Sequence, residues 1–218
     1  WGNLLTSVSW QHAFLSGVYL KSSVSFSKYR LKNKQLFTIP LNNSVYKSET
    51  KKISSVEDFS VKSALKWNPV KFWNIKTGLQ LSYLNHQPNA LSKNDMDLHS
   101  SSSTRPVDAA IYVENSVQLN SYFDIYPGIR FDYYHSDDFS DISIEPRIGL
   151  IMNVSPDQKL NLNFTKMSQK SHLIFTHSNI MNNEIWIPSD AQIPPSQSCQ
   201  YSLGWEGSFK KNKFSAEL

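Results

Sequence analysis

A two-residue alternation of apolar and polar side chains dominates the stretch 107–156. From Ala109 to Asn120 the apolar side chains fall mostly on odd positions and the polar ones on even positions. This period places the two sets on opposite faces of a β-strand. The pattern restarts at Phe123 and again at Ile142, which predicts three consecutive strands. Each exceeds the usual length of about five or six residues, and about ten residues suit a membrane crossed at a tilt.

The connections between predicted strands alternate between short and long. Short turns are predicted at 15–17, 68–72, 120–122, 156–158 and 210–213, and long loops at 31–55, 88–106, 135–141 and 172–196. The longer segments are polar and carry no sustained period, which is typical of loops. Short turns at one rim and long loops at the other are the rule in transmembrane barrels. The pattern therefore predicts an all-β, antiparallel, transmembrane up-and-down β-barrel wall of about ten strands, with a soluble sandwich as the alternative.

Aromatic side chains lie close to the predicted strand ends. Those beside short turns are Phe14, Trp67, Phe72, Trp73, Tyr122 and Phe123, and those near the opposite ends are Tyr29, Tyr83, Tyr133 and Tyr134. Rings that combine an apolar body with a polar tip anchor in lipid headgroups, although aromatic residues also favour strands in general. The positions favour two interfacial girdles.

The composition is compatible with a membrane barrel. A hydrophobic fraction of 39% and a mean hydropathy of −0.42 would also suit a soluble domain, but a barrel alternates lipid-facing and lumen-facing residues and keeps its average hydropathy low. No segment approaches the roughly eighteen consecutive apolar residues of a membrane-spanning helix. The net charge of +4 is small and its cations are scattered, which argues against nucleic-acid binding. The single cysteine, Cys199, excludes an intrachain disulfide.

The sequence contains no recognisable catalytic motif. Its seven glycines form no dinucleotide fingerprint, and its six histidines lack the spacing of a zinc site. Aspartates at 95–97 and 137–141 offer oxygen ligands for calcium, but equally suit a solvated loop. A protease or lipase barrel would need a rim dyad, for which His135 near Asp137 is the nearest arrangement. We therefore expect no enzyme activity, no cofactor and no metal site.

Four stretches within residues 107–209 resemble the barrel of TonB-dependent outer-membrane receptors, in the form common among Bacteroidetes. In order they read AIYVENSVQLN, YPGIRFDYY, IEPRIGLIMNVSPDQKLNLNFTKMSQ and IWIPSDAQIPPSQSCQYSLGWEGSF. The resemblance implies a barrel of about twenty-two strands around an N-terminal plug domain. Residues 1–218 would then form a middle-to-late part of the wall, without the signal peptide, the plug, the TonB box or the barrel ends.

The resemblance also implies a function. It suggests an integral protein of the outer membrane of a Gram-negative bacterium that imports a scarce solute, such as a glycan, a peptide or a metal chelate, with energy from TonB. The implied partners are TonB through the missing plug, outer-membrane lipid, the nutrient ligand and a surface lipoprotein lid. The alternative is a passive porin-like or adhesin-like barrel without energy coupling, and a plug with a TonB box in the preceding residues would favour import.

Solute contact is expected first in the two longest predicted outer loops, 31–55 and 172–196, and the second of these mixes aromatic faces with amide groups. The candidate ligand-binding residues are His172, Phe175, His177, Asn182, Asn183 and Trp186. The apolar run Ile185–Pro188 also allows a packing role for Trp186, in which the run only holds the loop against the barrel rim.

The strand period assigns faces to the charged residues. The side chains predicted to face the lumen or a plug are Glu114, Gln118, Arg130, Asp132, Glu145 and Arg147. Those predicted to face lipid are Ile111, Val113, Val117, Ile129, Phe131, Ile144, Ile148 and Leu150. An ion-pair network within the wall is the alternative role of the charges, because charges on a wet surface pair at little cost.

Overall fold

The computed structural model describes residues 1–14, 17–41, 44–94, 96–99, 103–177, 182–209 and 212–218, without the side chains at 41, 44, 89–92, 96–99, 176–177, 182–184, 209 and 212. These ranges contain thirteen strands. The strands are β1 Gly2–Phe14, β2 Val18–Leu41, β3 Ser44–Val70, β4 Trp73–Lys93, β5 Met96–His99, β6 Val107–Gln118, β7 Phe123–Ser136, β8 Phe139–Ser155, β9 Gln158–Gln169, β10 Ser171–His177, β11 Asn182–Pro188, β12 Ser196–Phe209 and β13 Asn212–Glu217. The described residues include no helix long and apolar enough to cross a membrane.

Ten strands form one antiparallel sheet in the order β1-β2-β3-β4-β6-β7-β8-β9-β12-β13. Each strand pairs with the next one along the chain, apart from two insertions. Strand β5 adds to β4, and β10 with β11 forms a separate two-stranded hairpin between β9 and β12. The prediction of about ten antiparallel up-and-down wall strands is confirmed.

The register gives the sheet two chemically distinct faces. Ile111 lies opposite Phe131, and Phe131 lies opposite Ile144, so these side chains share one face. Arg130 and Glu145 lie opposite each other on the other face. The first set is exposed, with Ile111 at 60% and Ile144 at 50%, whereas Glu145 is buried. We call these the apolar face and the polar face.

The apolar face carries a band of exposed hydrophobic side chains across the sheet. Trp67 and Trp73 lie at its lower end, beside a short turn, and Phe59 and Tyr83 are in-register partners at its upper end. Strand β4 crosses the band within residues 73–83, close to the roughly 9–11 residues that a tilted strand needs to span a membrane. We call this strip the apolar band.

The predicted loop at 31–55 is wrong, because these residues continue β2 and β3 as a paired hairpin up to Leu41 and Ser44. Likewise β4 continues to Lys93, and the segment 172–196 contains β10 and β11. A hairpin beyond the membrane has no hydrocarbon against either face, and backbone hydrogen bonds hold its two strands together. Its side chains therefore need no apolar period, which was the only signal available in the sequence.

The predicted long connection at 135–141 is also wrong. Strands β7 and β8 remain paired as far as Ser136 and Phe139, so only Asp137 and Asp138 form the turn. Asp137 has a φ of 48°, a left-handed conformation that aspartate tolerates better than most residues. The polar composition of this segment reflected a tight turn and its exposed strand ends.

Two predicted girdle residues lie on the polar face. Tyr134 is 1% exposed, and its hydroxyl donates a hydrogen bond to the Ser189 carbonyl oxygen at 3.1 Å. Tyr29 lies opposite Val56, which in turn lies opposite the buried His86. The prediction was wrong here because it considered only how close each ring is to a strand end. The alternation of side chains along the strand places both rings on the face turned away from the lipid.

Candidate functional site

The β10–β11 hairpin folds back across the polar face instead of extending the wall. It follows β9 in the chain, yet β11 contacts β3 and β4, which lie on the far side of β8, β7 and β6 in the sheet. Ser171 Oγ lies 3.5 Å from Nε2 of His86 on β4. His86, Tyr134 and Ser189 are fully buried. The hairpin is therefore an inserted cover on the polar face.

Backbone and side-chain hydrogen bonds fix the base of this hairpin. The Ser189 amide donates to the Lys170 carbonyl oxygen at 2.8 Å, which closes the base. The Tyr134 hydroxyl ties Ser189 to β7. His172 Nε2 lies 2.9 Å from Ser189 Oγ, and its Nδ1 lies 3.5 Å from Ser196 Oγ. These contacts anchor the base to β7 and to the start of β12.

A buried cluster of charges reinforces the same junction. The Lys170 ammonium group contacts the Asp132 carboxylate, which also receives Arg130 Nη2 at 2.8 Å. Arg130 Nε lies 3.9 Å from Glu145 Oε2, and Glu145 Oε1 accepts the Ser168 amide at 3.0 Å. Burying a charge is costly unless it is paired and hydrogen-bonded, and this cluster supplies both. It cross-links β7 and β8 to the hairpin base.

A second, more open cluster of charges lies on the polar face near the short-turn rim. Glu114 accepts Lys76 Nζ at 2.8 Å and Arg147 Nη1 at 3.2 Å. Arg147 reaches across β7 at Gly128, where an added Cβ would lie 2.9 Å from Arg147 Cγ. Glycine at this position therefore leaves the space that the arginine needs.

An open cavity of about 410 Å³ adjoins this second cluster. Its lining includes Lys76, Glu114, Asn115, Tyr126 and Arg147. The Nε of Arg147 is buried and has no hydrogen-bond partner among the described residues. The cavity thus offers two cations, a carboxylate and the Asn74 amide group on the polar face, all of which can bind a polar partner.

The structure separates the charges that the sequence assigned to one face into the two clusters. Glu114 belongs with Arg147, and Arg130 belongs with Asp132 and Glu145. Gln118 lies on the same face, paired in register with Asp124 near the short-turn rim. The side chains that were predicted to face lipid all lie on the opposite, apolar face. The strand period fixes this common face, but only the contacts show which charges pair.

Sequence reasoning missed two cations that complete these clusters. Lys76 shares the polar-face period of β4, so its position could have been found in the sequence. Lys170 lies just beyond the end of β9, where the strand period no longer determines direction. No sequence signal pointed Lys170 towards Asp132.

The six predicted ligand-binding residues all lie on the hairpin or at its base. Phe175 is 58% exposed, whereas Trp186 is half-buried opposite Leu173. His172 is engaged by the two serines at the base. His177 pairs with Asn182 through the backbone, but the side chains of His177, Asn182 and Asn183 lie outside the described residues.

His86 of β4 lies buried beneath the β10–β11 hairpin. It lies beyond the apolar band, and its backbone exchanges two hydrogen bonds with Thr104, at 2.8 and 3.0 Å. Burial lowers the pKa of the His86 imidazole, an effect that the nearby backbone of Trp186 partly opposes. The neutral ring is therefore favoured beneath the hairpin.

Comparison with known proteins supports a single fold family. The whole chain, residues 1–218, matches the family described as TonB dependent receptor-like, beta-barrel. No curated protein sequence matches. Among solved structures, the ferric-catecholate import receptor Fiu from E. coli K12 is 11% identical, with 98% of this chain and 39% of that chain covered and a TM-score of 0.67.

Two further solved structures show the same likeness. The ferric preacinetobactin receptor BauA from Acinetobacter baumannii is 9% identical over 99% of this chain and 36% of that chain, with a TM-score of 0.64. The ferric yersiniabactin uptake receptor FyuA from Yersinia pestis is 14% identical over 99% and 34%, with a TM-score of 0.58. At these identities the likeness shows the fold alone. The chain spans well under half the length of these three receptors.

Proposed function

Because this chain belongs to the TonB-dependent receptor-like β-barrel family, we propose that it forms part of the wall of an outer-membrane receptor that imports a scarce solute with energy from TonB. TonB-dependent receptor barrels are outer-membrane proteins of Gram-negative bacteria. The observation that supports import best is the β10–β11 hairpin, which lies across the long-loop end of the charged polar face. A passive pore needs an open polar face, whereas the β10–β11 hairpin lies across this one.

We propose that the Lys76–Glu114–Arg147 cluster faces the plug domain. Its side chains remain a third to a half exposed, so they keep hydrogen-bonding capacity beyond their mutual ion pairs. The adjoining cavity lies at the short-turn rim, on the periplasmic side of such a barrel, where TonB would act. A large barrel also provides the lumen that a plug requires.

We propose a metal chelate as the first class of solute to test, with glycans and peptides as the other candidates. The names of the three solved proteins describe receptors for ferric chelates, and two of these names specify import or uptake. Phe175, on the hairpin, presents an exposed aromatic face to such a solute. We also propose a surface lipoprotein lid as a partner, because the sequence resembles the Bacteroidetes form of the family. We expect no catalytic activity.

The central prediction is that uptake depends on TonB. Cells that express the full-length receptor should accumulate one class from a panel of ferric chelates, glycans and peptides, and deletion of TonB should reduce uptake to the level of cells without the receptor. The measurement is uptake of each labelled solute in matched strains. Uptake that continues without TonB would reject active import and support the porin-like alternative.

A second prediction concerns the hairpin. Phe175→Ala should weaken the apparent affinity for the solute by roughly tenfold, or about 1.4 kcal/mol, and deletion of residues 173–184 should weaken it further. The control is Tyr201→Ala, which removes an aromatic ring that is 74% exposed on the apolar face. TonB-dependent uptake that survives the deletion unchanged would leave import standing and remove the hairpin from the binding site.

A further inference from the structure

The imidazole ring of His86 lies between the wall and the inserted hairpin. It is fully buried on the polar face of β4, in the region where β11 packs against β4 and β3. Ser171 of β10 approaches the ring from the hairpin, and the backbone of Trp186 lies next to it on β11. The hairpin is therefore part of what buries the ring, and release of the hairpin would expose the ring to water.

The surroundings of the ring disfavour a second ring proton. His86 Nε2 lies 3.5 Å from Ser171 Oγ, but Nδ1 is buried and makes no hydrogen bond to a described residue. A neutral imidazole has one donor and one acceptor nitrogen, whereas a protonated imidazole has two donors and a positive charge. Burying an unpaired donor and a charge is costly. Protonation of His86 is thus less favourable beneath the hairpin than in water.

Neighbouring charges compensate a second ring proton only in part. Burial lowers the pKa of His86, and the backbone of Trp186 and the Asp58 carboxylate on β3 only partly oppose this effect. Asp58 also accepts a hydrogen bond from Ser60 Oγ at 2.6 Å. The other titratable residues on the polar face and at the hairpin base are Tyr29 of β2, Lys52 and Lys62 of β3, Asp108 of β6, Lys170, His172 and the exposed Arg105. The side chains of His177 and Glu184, on the hairpin, lie outside the described residues.

We propose that His86 is a pH-sensitive latch, whose neutral ring lets the β10–β11 hairpin lie across the polar face and whose protonation in mildly acidic solution releases the hairpin. In the released position the ring should titrate with the ordinary histidine pKa of about 6.5. Above this pH the ring is neutral in both positions, so its burial carries no charge. Below this pH the released ring takes up a proton that the buried ring resists, and the closed position loses stability.

The size of the effect follows from the proton that only the released ring binds. Between pH 7.5 and pH 5.5 the ratio of released to closed hairpin should rise by up to about tenfold, if the buried ring stays neutral throughout. The polar face beneath the hairpin is then uncovered more often in acid. Release is measured without a solute, so the test does not depend on the proposed import function.

His172, at the base of the hairpin, is less suited to act as the latch. Its Nε2 lies 2.9 Å from Ser189 Oγ and its Nδ1 lies 3.5 Å from Ser196 Oγ, so both ring nitrogens have a hydroxyl partner. A hydroxyl group can donate or accept, and rotation of the two serine hydroxyls accommodates either protonation state. Protonation of His172 therefore leaves no ring donor unpaired.

The test measures protease cleavage within residues 171–188 of the full-length receptor in detergent at pH 7.5 and pH 5.5. Each rate is divided by that of a free peptide of the same sequence at the same pH. At low protease concentration the cleavage rate follows the population of released hairpin, so wild type should be cleaved up to about tenfold faster at pH 5.5. His86→Phe and His86→Gln lack the titrating ring and should show no such increase. The matched control, His135→Gln, removes an exposed imidazole on β7 and should respond like the wild type.

Three outcomes would overturn the proposal. The first is a wild-type cleavage rate that is equal at the two pH values, and the second is an unchanged pH response in the His86 variants. The third is a response that His172→Gln abolishes and the His86 variants retain, which would assign the switch to the hairpin base. The ratio between the two pH values is decisive, so a variant whose hairpin is looser at both still gives an answer. Thermal unfolding at pH 7.5 checks that each variant is folded, and one folded His86 variant is sufficient.

Discussion

Asp132→Ala is expected to lower the free energy of unfolding of the full-length receptor by about 3–5 kcal/mol. Asp132 is 3% exposed and neutralises Lys170, which is 8% exposed, together with Arg130. Its removal deprives the buried Lys170 ammonium group of the carboxylate that it contacts directly. Because Lys170 begins the inserted hairpin, the loss should appear first as release of the hairpin from the polar face. Chemical unfolding in lipid vesicles measures the free energy, and protease access to residues 171–188 measures the release.

Two controls separate burial from charge pairing as such. Glu114→Gln breaks two ion pairs, with Lys76 and Arg147, whose side chains are a third to a half exposed, and the expected cost of each is about 0–1 kcal/mol. The double variant Asp132→Leu/Lys170→Met replaces the buried pair with apolar side chains of similar size. It should recover part of the stability lost in the single variant, because Arg130 then keeps only Glu145, at 3.9 Å, as an acidic partner. If Asp132→Ala unfolds like the wild type, the pair is solvated and does not hold the hairpin.

Leu79→Arg should destabilise the membrane-inserted receptor by about 2–4 kcal/mol, whereas Gln80→Arg should be tolerated. The two residues are neighbours in the middle of β4, at nearly the same depth within the apolar band. Leu79 lies opposite Ile111 on the apolar face, and Gln80 lies opposite Ala110 on the polar face. An arginine in place of Leu79 must enter hydrocarbon, but one in place of Gln80 enters a polar, wet environment.

The informative quantity is the difference in free energy of unfolding between the two variants, because this difference cancels the general effects of adding an arginine to β4. Urea titration of each variant in phosphatidylcholine vesicles gives the two free energies of unfolding. Equal costs would show that neither face meets lipid, and a larger cost for Gln80→Arg would show that the faces are inverted.

The sequence by itself determined the wall strands and their faces. In β6, β7 and β8 one side must meet hydrocarbon and the other must not, so the chemistry of the membrane forces a two-residue period that is visible without a structure. Ile111, Phe131 and Ile144 could be assigned to one face for this reason. The order of the strand motifs was also sufficient to name the family.

Only the tertiary structure shows how the chain folds beyond the apolar band. The extensions of β2 and β3 and the β10–β11 hairpin have no hydrocarbon neighbour, so their side chains follow no apolar period. Their pairing rests on backbone hydrogen bonds. Lys170 pairs with Asp132 only because the chain turns back at the end of β9. The hairpin lies across the polar face because Lys170 at its base pairs there with a largely buried cluster of charges on β7 and β8. Such long-range pairing leaves no mark in the local sequence.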